Sequence, residues 1–190
     1  MASIEALAEL GADLNAPMTD GVTPVFMAAF EGAEESIRAL AELGADLNKP
    51  DDVGSTPAFV AAEKGHAASL RALGELGADL NTPNNNGATP AFVAAQHGHV
   101  ASLRVLAELG ADLNTGDHDG CTPGYAAAAT GQVALLRALC ELGADLNTAA
   151  NNGATPAFMA AFCDREASIR VLADLGADLN TAANNGTTPV

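Results

Sequence analysis

Basic residues are scarce in this chain of 190: eight Lys and Arg stand against 24 Asp and Glu, for a formal charge of −16. A phosphate-binding surface needs clustered Lys and Arg, so the deficit argues against general nucleic-acid binding and against an anionic membrane surface. Tryptophan is missing, and one Tyr stands beside six Phe. The cysteines are only Cys121, Cys140 and Cys163. Their number is odd and no two are spaced as a metal or redox pair, so they read as small, half-buried side chains in an intracellular, cytoplasmic setting. No run reaches the roughly 18 apolar residues of a membrane span, and the first ten residues lack the basic start of a signal peptide. Yet 48% of the residues are hydrophobic, which separates the chain from an acidic disordered tail. The length suits one domain or one continuous array.

What is abundant is repetition. Leu-Gly-Ala-Asp-Leu-Asn occurs six times, at 10–15, 43–48, 76–81, 109–114, 142–147 and 175–180, always 33 residues apart. Thr-Pro keeps the same period from Thr23-Pro24 to Thr188-Pro189, with a glycine two residues before each pair, from Gly21 to Gly186. Six copies without an insertion describe a stacked array. The expected organisation is one array over 1–190: a partial repeat at 1–15, five full repeats over about 16–180, and a partial repeat at 181–190.

Each unit is legible locally. In the third, Thr89 is an N-cap and Pro90 takes the first helical position, where its missing N–H costs nothing. A short helix to His97 then ends at Gly98, a left-handed cap. A second helix runs from Val100 to about Leu109, with Leu103, Leu106 and Leu109 at helical spacing. Asn-Gly or Asp-Gly at the tip of the following turn is a hairpin signal. One such pair cannot bury its apolar faces alone, whereas stacked neighbours can.

A 33-residue unit of turn, Thr-Pro, short helix, Gly-His (Gly65-His66, Gly98-His99), second helix and Gly-Ala-Asp-Leu-Asn resembles the ankyrin repeat over almost the whole chain. The resemblance implies an all-α, L-shaped solenoid with β-hairpin-like loops, whose hairpin tips and first helices line a concave face that binds other proteins. The family's Thr-Pro-Leu-His is altered here, with aromatics at Phe26, Phe59, Phe92, Tyr125 and Phe158. These suggest an aromatic ladder, with ring contacts worth ~0.5–1.5 kcal/mol per pair. Repeat five replaces Gly-His by Asp164-Arg165.

Catalysis would need residues that break the period. The Asp13 to Asp178 and Asn15 to Asn180 columns read as turn formers that satisfy backbone groups. Arg38, Arg71, Arg104, Arg137 and Arg170 each stand four residues before an acid, which predicts exposed pairs within one helix worth a few tenths of a kcal/mol. Asp117-His118-Asp119 lacks a committed fourth donor for a metal, and Cys121 with His118 lacks an orienting third group. No enzyme is expected, and no metal or cofactor.

In an array of the resembled kind, recognition falls on tips and first-helix ends that vary while their surroundings repeat. The candidate contacts are Asp20, Asp52, Asn85, Asn86, His118, Asp119 and Asn151 on the tips. Those on the helix ends are Phe30, Glu31, Glu63, Lys64, Gln96, His97 and Phe162. Phe30 and Phe162 are aromatics off the ladder and candidate anchors. The expected partner is a protein with a neutral or basic surface. Almost half of the net charge belongs to the two acidic framework columns and their arginines, which weakens charge as a guide. The alternative is a spacer or a self-assembling array stacked through its ends, since neither end carries a polar cap.

Overall fold

The computed structural model describes residues 10–188, so most of the partial repeat at 1–15 lies outside the described residues. Ten helices follow as five pairs. The first helices are α1 (Pro24–Phe30), α3 (Pro57–Lys64), α5 (Pro90–His97), α7 (Pro123–Thr130) and α9 (Pro156–Phe162). The second helices are α2 (Glu34–Glu42), α4 (Ala67–Glu75), α6 (Val100–Glu108), α8 (Val133–Glu141) and α10 (Glu166–Asp174).

The starts of the first helices follow from local chemistry. Thr23, Thr56, Thr89, Thr122 and Thr155, all buried, accept the N–H three residues on at 3.2 Å. Proline then occupies N1 in every case. Gly65, Gly98 and Gly131 end three of these helices in the left-handed region. In repeat five Asp164 takes that conformation instead, at φ 55°, the lone non-glycine with positive φ among the described residues.

The core divides by side-chain size. Alanine pairs such as Ala61-Ala62, Ala94-Ala95 and Ala127-Ala128 are fully buried in the first helices. Leucines carry the second helices: Leu70, Leu73, Leu103, Leu106, Leu136 and Leu139 are sealed completely, each worth about 1.5–3 kcal/mol of burial. Small residues let the first helices approach one another more closely than the second helices do. The first-helix side is therefore the inner side of the stack.

Polar groups register one repeat on the next. Asn15, Asn48, Asn81, Asn114 and Asn147 each accept, through Oδ1, the backbone N–H of the Asp 31 residues on, at 2.7–2.8 Å. The hairpin tips form a ladder in which Asp52, Asn85, His118, Asn151 and Asn184 donate a backbone N–H to the preceding tip. One such bond per junction leaves no strand among the described residues.

Two expectations fail. The arginines do not pair with the acid four residues on. Side chains on a helix lean toward its N-terminus, so Arg38 and Arg170 reach back to Glu34 and Glu166, at 3.0 and 2.5 Å. Across repeats Arg38, Arg71 and Arg104 meet Glu75, Glu108 and Glu141 at 2.8, 2.5 and 2.6 Å, while Arg137 to the shorter Asp174 stretches to 3.8 Å. Nor do the ladder aromatics stack on one another. The ring pairs among the described residues are His97–His99 and Phe158–Phe162, at 6.0 and 6.4 Å. Helices pack about 8–10 Å apart, beyond the roughly 4.5–7 Å of a ring pair, so one ring per repeat cannot bridge the step.

Candidate functional site

The tips and first-helix ends place most of the candidate residues in solvent. Asp20, Asp52, Asn85, Asn86, His118, Asp119 and Asn151 are exposed on the tips, and Glu31, Lys64, Gln96 and His97 on the helix ends, with Glu63 half-buried. Several already serve the scaffold. Asn85 and Asn151 each donate a side-chain amide to a carbonyl of the preceding tip, that of Asp52 at 3.2 Å and that of His118 at 2.9 Å. His97 pairs through Nδ1 with the Val93 carbonyl at 3.1 Å and lies against His99. Asn86 and Gln96 spend no side-chain hydrogen bond on the fold among the described residues.

The two off-ladder aromatics occupy the same repeat position and differ in cover. Phe30 is 39% exposed, with the Lys64 ammonium 4.8 Å above its ring and that ammonium 3.2 Å from Glu63. Phe162 is 76% exposed and leans on Phe158 at an interplanar angle of 11°. It borders an open cleft of about 540 Å³ formed with Tyr125, Phe158 and Met159, and rimmed by Asn152 and Asn184. The Tyr125 hydroxyl donates to Met159 Sδ at 3.1 Å, tying α7 to α9 along this wall. The repeat pattern assigns Tyr125 and Phe158 to the ladder and gives Met159 no role. Their part in the cleft depends on packing between repeats, which no residue spacing announces.

The electrostatics around Cys121 oppose nucleophilic chemistry. Burial, then the carboxylates of Asp117 and Asp119, push its thiol up to about 11, so it is protonated at neutral pH. Burial also lifts the neighbouring Tyr125 hydroxyl to about 12. Among the described residues no group of three or more His, Cys, Asp or Glu is placed to hold a metal ion, and no helix is long and apolar enough to cross a membrane.

A family model described as ankyrin repeats (3 copies) matches residues 44–117 and 110–183. A solved structure, the ankyrin repeat domain of Bcl-3, described as a unique member of the IkappaB protein family, is similar with a TM-score of 0.89 at 25% identity. That likeness covers 99% of this chain and 85% of the Bcl-3 chain. No curated protein matches the sequence. The 33-residue period, the capped helix pairs and these matches have one meaning: the chain belongs to the ankyrin-repeat family, whose repeats are generally protein–protein interaction modules and typically not enzymes.

Proposed function

We propose that the chain binds a partner protein, without catalysis, on the inner face formed by hairpin tips and first helices. One observation carries this reading: on that face most tip and first-helix-end residues that change from repeat to repeat are exposed, while the repeating Thr and Ala beneath them are buried. A surface released from the packing constraint is where recognition can be grafted on a fixed frame. Phe30 and Phe162 supply apolar anchors, and Asp20, Glu31, Asp52 and Asp119 give the face an acidic character that suits a neutral or basic partner. The test is capture of partners by the wild-type chain compared with Phe30→Ala and His97→Ala. Loss of a partner in either variant supports the face, and unchanged recovery of every partner overturns it.

A second reading, stacking of copies end to end, rests on the apolar faces at the two ends of the described stack. Leu14, Met27, Ala28 and Leu40 line a groove of about 370 Å³ at one end, and Phe158 and Phe162 flank one of about 190 Å³ at the other. Light scattering separates the readings: growth with concentration favours stacking, and a constant monomer favours the binding module.

A further inference from the structure

Successive tips approach so closely that every tip followed by another needs a glycine after its outermost residue, and the last described tip keeps that glycine at a positive φ of 79°. A Cβ on Gly87 would stand 2.5 Å from His118 Cδ2 and 2.6 Å from the His118 backbone nitrogen, and φ there is 82°. On Gly153 it would stand 2.4 Å from Asn184 Oδ1. Wherever the tip residue is asparagine, the stack therefore builds Asn-Gly, in which the following backbone nitrogen is least shielded from the side-chain carbonyl. This happens at Asn86-Gly87, Asn152-Gly153 and Asn185-Gly186.

The three sites differ in what holds the carboxamide. Two residues earlier, one side-chain oxygen gathers the N–H groups of the tip. Asn84 Oδ1 accepts from Asn86 and Ala88 at 3.0 and 3.1 Å, as Asp117 Oδ1 does from Asp119 and Cys121 at 3.0 and 2.9 Å. Repeats five and six carry Ala150 and Ala183 at that place. Asn152 and Asn185 take over the task with their own Oδ1, accepting from Ala154 and Thr187 at 2.9 and 3.0 Å. Asn86 is relieved of it: the residue is exposed and its carboxamide is not hydrogen-bonded among the described residues. The glycine N–H groups are bonded alike, each donating to the carbonyl three residues back at 2.8–2.9 Å, although Gly87 is buried where Gly153 is half-buried and Gly186 exposed, so the free carboxamide of Asn86 acts against a more covered nitrogen.

We propose that Asn86 is a site of spontaneous, enzyme-free deamidation that turns a neutral tip acidic. The Gly87 nitrogen gives its proton to a solvent base and bonds to Asn86 Cγ, closing a five-membered imide. The Cγ–Nδ2 bond breaks, and the nitrogen leaves as ammonia with protons from solvent. Water then opens the ring, giving aspartate if the new Cγ–N bond breaks and isoaspartate if the original backbone C–N bond does. One water enters, one ammonia leaves, and nothing is oxidised or reduced. The fold already accommodates aspartate here, as Asp20-Gly21 and Asp119-Gly120. Isoaspartate adds a methylene to the main chain and shifts the Asn86 carbonyl that receives the His118 N–H at 3.1 Å. This inference rests on tip geometry and stands independently of the partner reading.

The experiment incubates the full chain in mildly alkaline buffer and follows each Asn-Gly by peptide mass mapping that resolves aspartate from isoaspartate. Asn86 is expected to lose its amide several-fold faster than Asn152, which has a tip on either side as Asn86 does. Equal or reversed rates overturn the proposal. Ala150→Asn supplies the missing acceptor and should accelerate Asn152, whereas Asn84→Ala should slow Asn86. Circular dichroism checks that each variant is folded, and Ala150→Asn alone decides the matter if Asn84→Ala is not. Failure of a folded Ala150→Asn to speed Asn152 overturns the mechanism.

Discussion

Ser69, Ser102 and Ser168 carry fully buried hydroxyls that have no hydrogen-bond partner among the described residues. Repeat four has Leu135 at this position, equally buried, so the array does not need a hydroxyl there. A buried, unsatisfied polar atom is a cost that alanine removes while also favouring the helix. Ser102→Ala is therefore expected to raise stability, by about 1 kcal/mol at most, read as a higher urea midpoint. Asp112 shows the opposite situation. The Thr115 hydroxyl, then the Asn114 N–H, hold its carboxyl below the usual carboxylate range. A lowered folded value means that the ionised form favours the fold. This contribution is present above the usual carboxylate range and is lost as pH falls through the lowered value. Asp112→Asn should accordingly lose less stability than wild type between neutral and acidic pH, measured by urea midpoints along that range.

The turn between the helices of repeat five shows what an element can tolerate. Asp164 adopts the left-handed conformation that Gly65, Gly98 and Gly131 adopt freely. A side chain there costs roughly 1–2 kcal/mol in strain, part of which glycine returns as entropy lost on folding. Asp164→Gly should raise the thermal midpoint of the chain, and an unchanged midpoint would show that Asp164 is held without strain. The next residue compensates in its own way. Arg165 Nε donates to the Ala129 carbonyl at 3.1 Å, where His66 and His99 use Nε2 against the carbonyls of Phe30 and Glu63 at 3.0 and 2.9 Å. In the sequence, Asp164-Arg165 departs from the Gly65-His66 and Gly98-His99 turns. The path of the backbone survives because the function of the histidine is to reach a carbonyl of the previous repeat, and a guanidinium does that as well.

At the scale of the whole molecule, the junctions between repeats are unequal. The one between repeats three and four has Gln132 where its neighbours have His66, His99 or Arg165, and Gln132 reaches no carbonyl of the preceding repeat among the described residues. His118 likewise stands where Asn85 and Asn151 add an amide rung to the tip ladder. The second helices α6 and α8 are also the least engaged of the successive outer pairs, although the first helices α5 and α7 of that junction pack as closely as any, so the missing rungs carry the assignment. A solenoid's stability is close to a sum of repeat and interface contributions, so the weakest interface sets where it opens. Native-state hydrogen exchange should divide protection between residues before 115 and those after it. The double variant Gln132→His with His118→Asn should remove that step and raise the unfolding free energy from urea titration by about 1–2 kcal/mol. A step at another junction would refute the assignment.

The sequence by itself determined the period, the helix pairs, the threonine caps and the glycine turns, because each depends on contacts within about four residues along the chain. It also marked the varying tip and helix-end residues, of which the named candidates are exposed except the half-buried Glu63. Only the tertiary structure decided the partners 31, 36 and 37 residues apart: asparagine oxygen to aspartate N–H, histidine or arginine to carbonyl, arginine to glutamate. Stacking distance and the lean of side chains along a helix choose those partners. The same two quantities deny the aromatics a stacked column and gather Tyr125, Phe158, Met159 and Phe162 around one cleft. A repeat read along the chain fixes what each unit is, and the space between units fixes what it touches.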